Sequence, residues 1–226
     1  MHLVIANKLY SSWSMRPWLV LKENGIDFDE TVIPLRQADT DEKIRAYSPT
    51  GLVPVLIDGD TVVWESFAII SHLADRFPDK AIWPTGGGAA RAHAFAISVE
   101  MHSGFKALRQ ICPMNLGKRF KAPELTDELR ADLERLEFLW ADTRNRFGGE
   151  GGYLFGAFSA ADAMYAPVVT RLDTYQLPVN SETRAYMDTV LANPSFLEWK
   201  RQAFEETWTI EAYEEGHVLE EDLRSG

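Results

Sequence analysis

Leu3-Val4-Ile5-Ala6, and shortly after it Tyr10-Ser11-Ser12-Trp13-Ser14-Met15-Arg16-Pro17, decide how this chain begins to fold. Residues 3–6 are short, apolar and partly β-branched, the pattern of a strand. Three serines then precede an apolar run, which predicts a helix N-terminus, and Pro17 is tolerable only in a first helical turn. The helix is predicted to run to about Asn24, with Gly25 as its stop. Residues 28–34 alternate through Phe28, Glu30 and Val32 and predict a second strand, closed by Pro34. The chain therefore opens on a β-helix-β unit.

Working outward, residues 36–47 are polar and predict a loop with a short irregular helix. Residues 53–57 and 61–64 predict two strands around the turn signal Asp58-Gly59-Asp60. Pro54 belongs at a strand start or an edge, because it lacks a ladder donor. A helix beginning at Glu65 or Ser66 would bury Phe67, Ile70, Leu73, Ala74 and Phe77 on one stripe. Pro78, Pro84 and Gly86-Gly87-Gly88 then interrupt the pattern. These breaks divide the chain into an α/β unit over residues 1–78, a linker over 79–88 and an all-helical domain over 89–226. In that second half residues 89–110 are Ala-rich and read as one uninterrupted helix. Leu129, Leu133, Leu136 and Trp140 mark another over 125–147. Ser159-Ala160-Ala161-Asp162 has the shape of a capping box and opens a helix to about Tyr175. Shorter helices are expected near 181–191 and 195–206. Glu214, Glu215, Glu220, Glu221 and Asp222 read as an acidic tail.

Composition narrows the function classes. The 226 residues are 46% hydrophobic and 25% charged, ordinary for a soluble protein of one or two domains. No apolar run is long enough for a membrane span, and the N-terminus has no signal-peptide pattern. Cys112 is the single cysteine, so an intramolecular disulfide is impossible, and a cytoplasmic location is expected. The formal charge of −11 makes nucleic acid a poor partner. The histidines show no i, i+4 pair, so no metal site is expected, and Cys112 reads as a packing thiol.

Two short runs carry possible chemistry. Ser11-Ser12-Trp13-Ser14 reads either as a helix cap or as a thiol site. A helix N-terminus offers free N–H groups and positive partial charge, which favour a docked thiolate, and a serine hydroxyl could donate to its sulfur. Glu65-Ser66 again reads as a cap, or as a site for an amino-acid end group. In the second reading Glu65 takes an ammonium, while Ser66 and the helix N–H groups take a carboxylate. On the first long helix of the second half, His102, Phe105 and Arg109 follow an i, i+3, i+7 stripe. The stripe suits either a substrate wall or a core phenylalanine beside a solvated arginine.

With Ser11-Ser12-Trp13-Ser14-Met15-Arg16, Ser48-Pro49-Thr50-Gly51-Leu52-Val53-Pro54-Val55-Leu56, Glu65-Ser66-Phe67-Ala68-Ile69 and Ser159-Ala160-Ala161-Asp162 in this order, the chain resembles the cytosolic glutathione S-transferases over nearly its whole length. The resemblance is to the serine-type, zeta-like members, which include maleylacetoacetate isomerases. It implies a thioredoxin-like N-terminal domain (βαβ then ββα), an all-α C-terminal domain, a homodimer, and glutathione as substrate or cofactor. It places Ser11, or its neighbour Ser12, as the hydroxyl that stabilises the thiolate. Trp13 would line the glutathione site. Val53 would bond the cysteinyl part through its backbone before a cis Pro54, and Glu65 and Ser66 would hold the γ-glutamyl end. Asp162 would be a structural cap. His102, Phe105 and Arg109 would face the electrophile. Trp13 stands where zeta members carry cysteine, and Leu52 where many members carry Lys or Gln. Arg36 and Lys43 are candidates, by charge alone, for the glycine carboxylate. Three activities follow: conjugation of glutathione to small electrophiles, glutathione-dependent cis-trans isomerisation, and a non-catalytic binding or regulatory module on the same fold.

Overall fold

A computed structural model describes residues 1–224. Strand β1 (His2–Ala6) lies inside a four-stranded sheet of order β2-β1-β3-β4, with β2 (Asp29–Ile33), β3 (Val55–Asp58) and β4 (Thr61–Trp64). It runs parallel to β2 and antiparallel to β3. Alternation along β1 decides what covers each face. Leu3 and Ile5 point into the main core beneath α1 (Ser12–Glu23) and α3 (Ser66–Arg76). Val4 points the other way and packs with Ile33 and with Ile44 of the short α2 (Thr40–Arg45). Gly25 ends α1 with φ +57°, as its position predicts, and the Val53–Pro54 bond is cis.

The second half comprises α4 (Gly88–Ser103), α5 (Lys106–Ile111), α6 (Asp127–Phe147), α7 (Ala160–Thr174), α8 (Ser181–Leu191) and α9 (Pro194–Phe204). Helix α7 is buried on every side except at Asp173, which makes it the central pillar. Its N-terminus is held by a true capping box, in which Ser159 and Asp162 bond reciprocally. The α7 wall packs against α1 and α4, so one apolar core runs through both halves. The chain has the architecture that the resemblance implies, a thioredoxin-like sheet-and-helix unit followed by a helical unit. Among the described residues no helix is long and apolar enough to cross a membrane, and no cluster of three metal-ligating side chains occurs.

Two expectations are corrected. Residues 89–110 are not one helix. A Cβ on Gly104 would sit 2.7 Å from the Glu100 carbonyl oxygen, and Phe105 turns left-handed at φ 52°, so α4 ends and α5 starts in a new direction. The acidic tail is also ordered. Leu219–Asp222 forms β6, paired antiparallel with β5 (Lys118–Phe120) inside the half expected to be wholly helical. Opposite charge supports the pairing: Arg119 meets Glu221 across the two strands at 3.4 Å, and Lys118 meets Glu214, which precedes β6, at 2.5 Å.

Candidate functional site

The serine run divides its labour. Ser11 is the N-cap of α1: its Oγ accepts from Ser14 N–H at 3.3 Å and donates to Ser14 Oγ at 2.8 Å. Ser14 Oγ in turn accepts from Ala6 N–H at 3.1 Å, which ties the helix start to the end of β1. Ser12, the first residue of the helix, has no side-chain hydrogen bond among the described residues. Exposure does not separate the two serines, at 7% and 8%; hydrogen bonding does. Ser12 keeps a hydroxyl proton free for a ligand, at a helix end where anions are favoured. Tyr10 is no rival. Its hydroxyl donates to Glu214 at 3.1 Å, and burial with the neighbouring carboxylate pushes its pKa up to about 12.

The loop before this helix is gripped by the far end of the chain. Glu206 accepts from Lys8 N–H at 2.6 Å and from Leu9 N–H at 3.1 Å, and Trp199 Nε1 donates to the Lys8 carbonyl at 3.0 Å. The Lys8 ammonium lies between Trp18 and Trp199 and pairs with Glu30 at 2.5 Å. Trp199 lies on α9 and Glu206 just beyond it, whereas Trp18 and Glu30 lie on α1 and β2, so the serine run sits in a frame that both halves build.

Ser11 and Ser12 open into a cavity of about 1180 Å³ between the sheet unit and the helical unit. A second cavity of about 360 Å³ adjoins it, and Trp13, Leu52 and Val53 line both. The small cavity holds Pro54, Glu65, Ser66 and His102. Three features fit it to an amino-acid end group. Helix α3 has no side-chain cap, unlike α1 and α6 to α9, so its first N–H groups are free. Ser66 Oγ is buried with no partner among the described residues. Glu65 is held at φ 69° and ψ 125°, a backbone cost of about 1–3 kcal/mol that non-glycine residues accept mainly at functional positions. Between the cavities, Val53 lies outside the sheet ladder, and its N–H and carbonyl have no partner among the described residues.

Trp13 is clasped by cations. The Arg16 guanidinium lies 4.2 Å and the Arg109 guanidinium 4.8 Å from its ring centre, and His102 meets it edge-on at 5.0 Å. Arg16 is fully buried; its Nε donates to the Met164 carbonyl, while Nη1 has no partner among the described residues. Arg171 donates to the Cys112 and Pro167 carbonyls. Desolvation lowers both, with repulsion from Arg171 and Arg109 adding to it at Arg16 and repulsion from Arg109 at Arg171, which falls to about 10 and stays charged at neutral pH. Among the described residues none of Arg16, Arg109 and Arg171 meets a carboxylate. Arg36, Lys106, Arg109 and Arg171 line the large cavity against the single carboxylate of Asp41.

The other expected residues sort as follows. His102 lines the small cavity with Glu65 and Ser66 and does not line the large one, while Gly104 separates it from Arg109 on α5. Phe105 packs into the core near Tyr165 and lines neither cavity. Arg109 does face the large cavity. Arg36 lines it as well, whereas Lys43 pairs with Asp39 on the outer surface at 2.7 Å. Cys112 is buried, and desolvation lifts it to about 12, so it is a packing thiol. Arg171, Ala212 and Tyr213 in the large cavity escaped sequence reasoning; the capping box gave Arg171's helix but not its facing.

Two family models match the chain. One, described as glutathione S-transferase, N-terminal domain, covers residues 10–76, and the other, glutathione S-transferase, C-terminal domain, covers 119–199. The chain belongs to the glutathione S-transferase family. Glutathione S-transferase Z2 of Arabidopsis thaliana is 29% identical over 164 residues, 68% of this chain and 73% of that one. A zeta-class glutathione S-transferase of Euphorbia esula is 28% identical over 188 residues, 76% of this chain and 81% of that one. Such relatives make the chain zeta-like. In structure, a glutathione transferase homologue from Burkholderia gl BGR1, solved with bound glutathione, superposes with a TM-score of 0.67 over 89% of this chain and 96% of that one, at 23% identity.

Proposed function

We infer that this glutathione S-transferase family member activates the thiol of glutathione as a thiolate for attack on small, anionic electrophiles. Residues 1–78 hold glutathione and residues 89–226 supply the electrophile side. The observation that carries the reading is Ser12: an uncommitted hydroxyl at an anion-favouring helix start, beside a backbone and an end-group site that both lack partners. Glutathione spans the two cavities. Its γ-glutamyl ammonium meets Glu65, and the matching carboxylate meets Ser66 and the free N–H groups of α3. Its cysteinyl amide pairs with the Val53 backbone as an added strand would. The sulfur then reaches Ser12, and the glycine carboxylate lies toward Arg36. Lowering a thiol from its ordinary pKa near 8.5 by two units takes roughly 2.7 kcal/mol, within reach of a helix end plus a hydrogen bond.

The electrophile's charge follows from the arginines. Buried cations without carboxylates are costly, and an anionic substrate would supply the missing partner. Attack on a saturated carbon with a leaving group gives conjugation. Addition to a double bond, rotation and expulsion of the thiolate gives isomerisation and returns glutathione unchanged. Product analysis separates the two. The protein acts in the cytoplasm as a homodimer; exposed Val62 and Trp64 on the edge strand β4 support self-association, read by analytical ultracentrifugation.

An ultraviolet difference titration with glutathione at neutral pH tests the central claim. Wild type should show a thiolate band, Ser12→Ala should bind without it, and Ser11→Ala should keep it. A band lost in Ser11→Ala and kept in Ser12→Ala would transfer the role to Ser11. No glutathione binding at all would leave a non-catalytic module.

A further inference from the structure

His102 comes from the last turn of α4, in the helical half, yet its Nε2 lies 3.7 Å from Glu65 Oε2, at the start of α3. It shares the small cavity with Glu65 and Ser66. Its Nδ1 is buried without a partner among the described residues. A bare lone pair tolerates that position better than an N–H would, so the imidazole is neutral and carries its proton on Nε2. The surrounding charges agree: burial, Arg16 from α1 and Arg109 from α5 lower its pKa, and only Glu65 opposes them. Glu65 itself has no side-chain role in capping α3 and stands on a strained backbone.

We propose that His102 is a positioning residue for the γ-glutamyl subsite: its neutral imidazole holds Nε2–H 3.7 Å from the Glu65 carboxylate, and this gap closes to a hydrogen bond when the carboxylate turns to the ligand ammonium. The proposal rests on the glutathione reading above. It gives the helical half a part in holding glutathione, a task otherwise borne by the sheet unit. Because Glu65 lies at the far end of the ligand from the sulfur, His102 acts on binding and leaves the thiolate step untouched.

The probe is S-methylglutathione, whose blocked thiol removes Ser12 chemistry, titrated by calorimetry at pH 7.5 into wild type, His102→Ala, His102→Gln, Glu65→Gln and the His102→Ala/Glu65→Gln double variant. The Gln amide places an N–H near the Nε2 position. His102→Ala should weaken binding about tenfold, the worth of one charge-assisted hydrogen bond, and His102→Gln should stay within about twofold of wild type. In the Glu65→Gln background, His102→Ala should add nothing. kcat at saturating glutathione should be unchanged in both His102 variants, while KM for glutathione rises in His102→Ala alone. Unchanged binding in His102→Ala, an equal loss in His102→Gln, or a full loss persisting in the Glu65→Gln background would each overturn the proposal. A wild type that does not bind S-methylglutathione would instead overturn the glutathione reading beneath it.

Discussion

Arg109→Gln tests whether the large cavity is built for an anion. The Arg109 guanidinium is half-buried, lines that cavity and has no carboxylate partner among the described residues. At an effective dielectric of about 20, a unit charge 4–5 Å away gains roughly 3–4 kcal/mol in gross Coulomb energy. Desolvation and screening reduce this to the net worth of a hydrogen bond to a charged group, about 1.5–3 kcal/mol. The expected loss of kcat/KM for a carboxylate electrophile is therefore about ten- to a hundredfold. The same substitution removes a cation from the Trp13 face, worth about 0.5–1 kcal/mol for any substrate. It also removes donors to the His102 and Gly104 carbonyls, 3.2 and 3.5 Å away, so thermal melts must accompany the kinetics.

The assay compares an α,β-unsaturated carboxylate with its methyl ester, both at saturating glutathione. The ester controls for shape, for Trp13 and for global stability. The acid should lose at least tenfold while the ester loses about threefold or less. Equal losses on acid and ester would refute the charge argument and leave Arg109 as a prop for Trp13 and the α4–α5 break.

Other consequences are equally direct. Ser11→Ala should lower stability by about 1 kcal/mol through the lost cap of α1, seen as a drop in Tm. Lys8→Met should cost about 1–2 kcal/mol in urea unfolding, because solvent-exposed Glu30 loses a charged hydrogen-bond partner but keeps its contact with water; adding Glu30→Gln should recover part of it, and an additive double variant would count against the pair. Asp162 is fully buried, and desolvation raises its pKa from 3.8 to about 6. The folded state thus holds this proton more tightly than the unfolded chain, and stability falls as pH rises from about 4 to about 6, by roughly 3 kcal/mol. Asp162→Asn should abolish that component, so the stability difference between wild type and variant should change across this window and be flat above it.

The elements were legible wherever the signal was local. Gly25, the Asp58-Gly59-Asp60 turn and the Ser159–Asp162 box each act through their own backbone, and each stands where the sequence placed it. The missed break at Gly104 was local too, since a glycine after Ser103 is a helix-stop signal, but the alanine-rich run around it outweighed it. The β5–β6 pair was not legible. Its partners lie about a hundred residues apart, and a run of Glu and Asp has poor strand propensity until Lys118 and Arg119 face it.

The site was legible as a set of residues but not as an assignment of roles, and the serines show why. Ser11 and Ser12 differ by one residue, yet one stands just before the first helical turn and the other inside it. A residue outside the turn can fold its hydroxyl back onto the helix N–H groups, and Ser11 does so. A residue inside it cannot, so Ser12 is left free. The same logic runs in reverse at α3, where Glu65 occupies the cap position without capping and its neighbour Ser66 stays unpaired. Charge follows a similar rule. A chain of net charge −11 gathers arginines from α1 and α5 around Trp13 and a third from α7 onto the same cavity, and spacing along the sequence says nothing of that meeting. The groups that fit a ligand here are those whose local partners are missing. Sequence patterns report bonds that are made, so the unmade ones become visible only when the fold brings their owners to one cavity.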